Sequence, residues 1–349
     1  MDRRPIVSLE MTADRWLRRL CVAGIPLAIL LVFGVHAGTA AHRSSDGYSP
    51  RSRFSYNWPV KPFDRQHPIR GAFGDPRIVS PDQPFGWTGP DETDAYSFHN
   101  GVDIVATPGT PVYPVVSGWV AKAKPDEIVI DTYDGRAFQY YHLSKARDVQ
   151  RGRKVVADRT VLGWIRHIYD HVHLAEIDNH VVHNPLDYGH LEPYGDWTRP
   201  LATGLYVDDG RVPTPLTGTA IGPGDRLAVA ASDGPSMEVR GAWSGLPQVP
   251  ALVEWRLLHN GTRTPWKVAA DFRKTEPPSR DFWSVYAPGT YQNWPVFDHR
   301  LFHSPGRYLF RLDLVPGELQ PGLYRLQVQV ADIRHNQSST TWPLQVANR

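Results

Sequence analysis

Three histidine-bearing segments lie within one 75-residue stretch of this chain, from His99 to His173. The first reads Ser97-Phe98-His99-Asn100-Gly101-Val102-Asp103. A histidine and an aspartate four residues apart, with a glycine between them, can wrap one metal ion from a strand-to-loop corner. The glycine lets the backbone turn tightly there. The second is Tyr140-Tyr141-His142-Leu143, which closes an alternating apolar run. The third is His171-Val172-His173-Leu174. In a strand, residues two apart point to the same face, so His171 and His173 present two imidazoles side by side. Each segment alone is a weak signal, because a single histidine is ordinarily a surface or hydrogen-bonded residue. Their combination and order carry the argument.

Absent motifs narrow the chemistry. There is no G-x-S-x-G nucleophile elbow, no phosphate-binding G-x-x-x-x-G-K-[ST] loop and no H-E-x-x-H helix. The single cysteine, Cys21, excludes an intramolecular disulfide, a cysteine-based zinc finger and an iron–sulfur cluster. A metal site here must use His, Asp or Glu, and 15 histidines are available. The net charge of +2 argues against nucleic acid as a partner, since no strong single-sign field is present.

The stretch from about Pro68 to Leu191 resembles the lysostaphin/LytM-type zinc metallopeptidases, peptidoglycan endopeptidases with H-x-x-x-D and H-x-H motifs. The resemblance extends beyond the histidines. Arg70-Gly71-Ala72-Phe73-Gly74 followed by Arg77 is similar to the family's opening strand and turn. HNGVDI followed by TPGTPVYPVVSGWV, then IVIDTYDGRAFQYYHLS, then NPLDYG, follow in the family's order. The resemblance implies His99, Asp103 and His173 as ligands of one Zn2+ ion. It implies His142 and His171 as the catalytic histidines. It also implies peptidoglycan peptide stems or cross-bridges as substrate.

One departure concerns the turn before H-x-H. It reads Trp164-Ile165-Arg166-His167-Ile168-Tyr169-Asp170, bulkier than the family's Gly/Ser-rich turn, and should reshape one wall of the groove. Asp170 reads as a solvated loop acid, with orientation of His171 as the alternative. Glu176 follows H-x-H with a one-residue offset from the family's glutamate and receives no role. His167, His180, His183 and His190 read as surface residues, with His183 a candidate for the groove edge. Trp58, Trp87, Trp119 and Trp164 read as core or strand residues, Trp87 also as a groove wall.

The elements that must position these groups are strands. The 32 Pro, 29 Gly and 12 Trp predict an all-β, mainly antiparallel protein with many short strands. At 349 residues it has room for about two domains. Residues 56–198 are expected to form the catalytic β-sheet domain. Residues 201–349 are expected to form an Ig-like or fibronectin-like β-sandwich. Tyr324, Leu326, Val328 and Val330 alternate with Arg325, Gln327 and Gln329, and Pro-Gly pairs punctuate the region. That second region has no concentrated polar chemistry. Its expected roles are placing the catalytic domain or contacting the wall or partner proteins.

Residues 1–41 read as a signal peptide or membrane anchor. Arg15, Arg18 and Arg19 precede an apolar run from Leu20 to Val35, and small residues follow. Residues 20–35 are thus a candidate membrane anchor, and either reading makes the chain exported, to the periplasm, envelope or medium. Removing residues 1–41 takes away five Arg and three acids and leaves a formally neutral chain. Residues 42–55, rich in Ser, Gly and Pro, read as a linker. Two other function classes fit parts of the sequence. One is a non-catalytic wall-binding protein that activates other hydrolases. The other is an adhesion module centred on residues 201–349.

Overall fold

The computed structural model describes residues 54–78, 96–208, 213–292 and 306–347. The proposed leader and the Trp87 loop lie outside the described residues. No helix among the described residues is long and apolar enough to cross a membrane.

Among the described residues the chain is nearly all β and its sheets are antiparallel except for one short parallel pair, as the composition predicts. The sheet that carries the histidines runs Ile69–Gly71, Val102–Val105, His171–Asp178, Arg136–Tyr141, Glu127–Thr132, Gly118–Ala123 and Lys154–Val155, in that spatial order. The His171–Asp178 strand is therefore central. It is gripped on one side by the strand bearing Asp103 and on the other by the strand that leads to His142. The register places His173 directly opposite Asp103 and Tyr141.

Period-2 alternation sorts the residues of this strand between two faces. His171, His173 and Ala175 share one face. Val172, Leu174 and Glu176 share the other. Glu176 thus points away from the histidines. Its carboxylate, 1% exposed, accepts hydrogen bonds from Tyr56 at 2.5 Å and Arg136 at 2.9 Å, and meets His190 Nδ1 at 2.7 Å. A buried carboxylate needs such partners, and this network ties the start of the described chain to the sheet.

Residues from 201 onward form two further sheets. One pairs Leu201–Asp208 with Arg226–Ser232, which in turn pairs with Leu309–Leu312. The other is built on Leu252–His259, Gly322–Ala331 and Gln337–Val346. Buried apolar residues of all these sheets join one continuous cluster. Phe98, next to the first histidine, packs against Phe272, Phe282 and Tyr286 at 5.4–5.8 Å between ring centres.

Polar contacts follow the same seam. Gln248 donates to the Ile69 carbonyl at 2.6 Å, and Tyr286 to the Gly74 carbonyl at 2.7 Å. Asp75, fully buried, accepts the Val249 N–H at 3.0 Å with one oxygen and the Ala72 N–H at 2.9 Å with the other. Gly74 is required here: its φ is +87°, and a Cβ would stand 2.4 Å from the Phe272 ring. Farther along the seam, carboxylate oxygens of Asp196, Asp233 and Asp332 lie within 4.8 Å of one another. Burial, followed by the neighbouring carboxylates, raises the Asp233 carboxyl to about 8 and that of Asp332 to about 6.

Candidate metal centre and groove

His99 sits just past the Tyr96–Phe98 strand. Its Nδ1 lies 2.8 Å from the Ala72 carbonyl. A carbonyl only accepts, so the proton is assigned to Nδ1 and Nε2 carries a lone pair. That Nε2 lies 3.1 Å from Asp103 Oδ1 and 2.9 Å from His173 Nδ1. The third edge of this triangle, Asp103 Oδ1 to His173 Nδ1, is 3.2 Å. All three residues are buried.

The donor set fits a metal ion. A carboxylate and a proton-free Nε2 face one another, and both lie against His173 Nδ1. A cation satisfies all three lone pairs at once. Two ligands of a tetrahedral ion at about 2.0–2.1 Å stand about 3.3 Å apart, close to the edges found. His173 Nε2 is buried and has no hydrogen-bond partner among the described residues, so the ring is not committed elsewhere through that atom.

The electrostatics agree. Burial opposes ionisation of Asp103, but the imidazoles of His99, His171 and His173 outweigh it and hold the carboxyl well below its ordinary range. Burial and the nearby Arg77 guanidinium lower His99 to about 3, so its imidazole is neutral and can ligate. Asp103 Oδ2 accepts from Arg77 at 3.1 Å, which leaves Oδ1 for the metal.

Gly101 has a reason different from the one its sequence context suggests. It does not adopt a positive φ. It is needed because a Cβ would stand 2.3 Å from the Leu174 carbonyl oxygen and 2.8 Å from the His173 ring. The strand carrying Asp103 can lie this close to its neighbour only without a side chain there.

His142 and His171 face each other beside the triangle, with ring centres 4.6 Å apart. His142 is held at φ +72° by two backbone bonds, from its N–H to Asp126 O at 3.1 Å and from Arg166 N–H to its own carbonyl at 3.0 Å. Its ring stacks on Tyr169 at 3.9 Å. Burial, followed by the neighbouring His171, lowers it to about 3 and keeps it neutral. His171 is clamped through both nitrogens. Nδ1 lies 3.1 Å from Asp170 Oδ1, and Nε2 accepts from Arg70 Nη2 at 2.9 Å. Burial lowers its pKa, against the pull of Asp103 and Asp170. Asp170 therefore touches His171 while remaining partly exposed, which departs from the solvated-loop reading.

A cavity of about 610 Å³ opens over these groups. The bulky turn does shape one wall, through His167, Ile168 and Tyr169. The lining also includes Trp243 and Gln292, from the region after residue 200. His183 does not line the cavity; it pairs with Glu176 at the far end of the central strand. Trp58 is fully buried, whereas Trp164 is 43% exposed. Arg70, Arg77, Pro108, Trp243 and Gln292 are groove residues that sequence reading does not mark as functional. Arg70 and Arg77 had a signal, since both stand in the segment that carries the family resemblance.

Residues 97–175, which contain all five histidine and aspartate candidates, match the sequence model of peptidase family M23. That stretch is similar to the M23 metallopeptidases. No curated protein sequence matches the chain. Among solved structures, it is similar to the catalytic domain of the prophage-encoded M23 protein EnpA from Enterococcus faecalis. The identity is 24% over 40% of this chain and 99% of that one, with a TM-score of 0.27. Helicobacter pylori Csd3 matches at 20% identity over 47% of this chain and 37% of that one, TM-score 0.29. The SpoIIQ–SpoIIIAH pore-forming complex matches at 22% identity over 41% of this chain and 94% of that one, TM-score 0.29.

Proposed function

We propose that this chain is an exported zinc metalloendopeptidase that hydrolyses peptide bonds of bacterial peptidoglycan. The observation that carries the reading is the convergence of His99 Nε2, Asp103 Oδ1 and His173 Nδ1, with His142 and His171 beside them in one groove. Those three atoms would hold the ion. A bound zinc ion would supply a Lewis acid and a water whose pKa falls to roughly 7.

The chain's own residues supply the rest. His142 Nδ1 has no hydrogen-bond partner among the described residues, so the ring has a nitrogen free to pass a proton from the water to the leaving amine. Arg70, fixed by its hydrogen bond to His171 Nε2, is a donor suited to the negative charge that develops on the scissile carbonyl oxygen, and His171, clamped between Asp170 and Arg70, holds it there. Tyr169 limits the freedom of the His142 ring.

One observation favours a second reading, a protein that binds peptidoglycan without cutting it. Arg70 already occupies His171 Nε2, the ring nitrogen nearer Asp103. A single digestion separates the two. Purified sacculi are incubated with residues 42–349, with and without a chelator, and the soluble fragments are read by mass spectrometry. Chelator-sensitive release of peptides with new amino ends is expected, and the fragment masses name the bond. No release by protein shown to hold zinc refutes the hydrolase and leaves the binding reading.

A further inference from the structure

Arg70 is the hub of the groove. Its guanidinium lies 2.9 Å from His171, 3.7 Å from Asp103 and 3.6 Å from Asp170, with the side chain 7% exposed. What covers it comes from far along the chain. The Gly241–Trp243 turn follows the Arg226–Ser232 strand, and the indole of Trp243 lies over the Arg70 guanidinium at 3.5 Å. Arg–indole stacking is favourable, and more so when water is excluded from the pair. The turn is anchored nearby: Gln248 donates to Ile69 O, next to Arg70, and Val249 to Asp75. The segment after the turn is thus tied to the chain on either side of Arg70, and the contact does not depend on the two side chains alone.

We propose that Trp243 is a substrate-positioning residue of this site, so that the groove is completed by the region after residue 200. The inference rests on the peptidase reading above. Ile168, Tyr169 and Trp243 all line the groove that a peptide strand would enter. The indole then does two things. It gives the strand a flat apolar surface, and it keeps Arg70 pressed against His171. The ligand this suits is a short extended peptide, such as a peptidoglycan stem, whose backbone amides and small side chains lie flat on an aromatic face.

The test uses residues 42–349, since the described residues from 54 on belong to one compact unit. Zinc-loaded His142→Ala protein, expected to bind without cutting, is titrated calorimetrically with purified stem peptides. Trp243, Trp243→Phe and Trp243→Ala versions are compared. Trp243→Ala is expected to weaken binding about tenfold, and Trp243→Phe to recover most of it. Zinc stoichiometry should be unchanged in both. In the His142 protein, Trp243→Ala should raise KM more than it lowers kcat. Equal affinity of the Ala and Trp proteins overturns the proposal. So does loss of zinc in Trp243→Ala, which would make the role structural. Failure of the peptidase reading looks different: protein with intact Trp243 and bound zinc would neither bind nor cut any stem peptide, and the proposal would fall with it.

Discussion

Substituting Gly101 by alanine should disable the proposed metal centre without replacing any of its proposed ligands. The added Cβ would lie 2.3 Å from the Leu174 carbonyl oxygen, a backbone atom, and 2.8 Å from two atoms of the His173 ring. Ordinary contact is about 3.5 Å, so the Val102–Val105 and His171–Asp178 strands must part by about 1 Å. Asp103 rides on the first strand and His173 on the second, in direct register. The 3.2 Å edge between their ligating atoms would then stretch to about 4 Å, too wide for one tetrahedral ion. Overpacking of this kind costs about 1–3 kcal/mol of stability. Zinc affinity should fall by roughly 10–100-fold, the range for disturbing the groups that orient a ligand. Competition with a chelating dye reads the affinity, and thermal melts with and without zinc read the stability. Gly224→Ala is the control, since a Cβ there meets nothing within 4 Å. Zinc affinity within twofold of the native protein, at an unchanged melting temperature, would refute the close-approach argument.

Two ligand-region variants should separate binding from turnover. His173→Ala removes a proposed ligand and should abolish both bound zinc and peptide release. His142→Ala should keep zinc, measured by metal analysis, while release from sacculi drops at least about 100-fold; full activity would sink the role given to His142. The carboxylate cluster makes a pH prediction. The Asp233 carboxyl is raised to about 8 in the fold, against an unfolded value of about 4, so the folded state binds more protons between those limits. Stability should therefore fall as pH rises from about 4 to about 8, by a few kcal/mol at most. Asp233→Asn should flatten that slope and raise the melting temperature more at pH 8 than at pH 5. An unchanged slope would show that the cluster ionises freely.

The site was legible where it depends on local periodicity. H-x-H in a strand puts two imidazoles on one face whatever the rest of the chain does, and a strand carrying Asp103 can lie beside it. The same periodicity sends Glu176 to the other face, which explains why no groove role could be read for it. What was not legible depends on long-range packing. Nothing near Trp243 in the sequence says that it will cover Arg70, more than 170 positions earlier. The pinning of Asp75 by Val249 is equally non-local. The role of Gly101 was misread for a related reason: its need is set by a carbonyl on a neighbouring strand, not by its own φ. Asp170 was read as solvated because its partner on His171 depends on the ring's rotamer, which sequence does not set.

The Asp75 carboxylate links two events that are far apart in the chain. One oxygen holds the loop whose Ala72 carbonyl fixes the His99 tautomer, and the other holds the amide of Val249. A ligand that binds only the native state adds RT ln(1 + [L]/Kd) to its stability, about 2.7 kcal/mol at a hundred times Kd. That increment should be felt on both sides of the carboxylate. The Val249 amide then becomes a gauge of metal occupancy: its hydrogen exchange should slow on zinc addition and quicken under chelator, although no ligand atom lies within 70 residues of it in sequence.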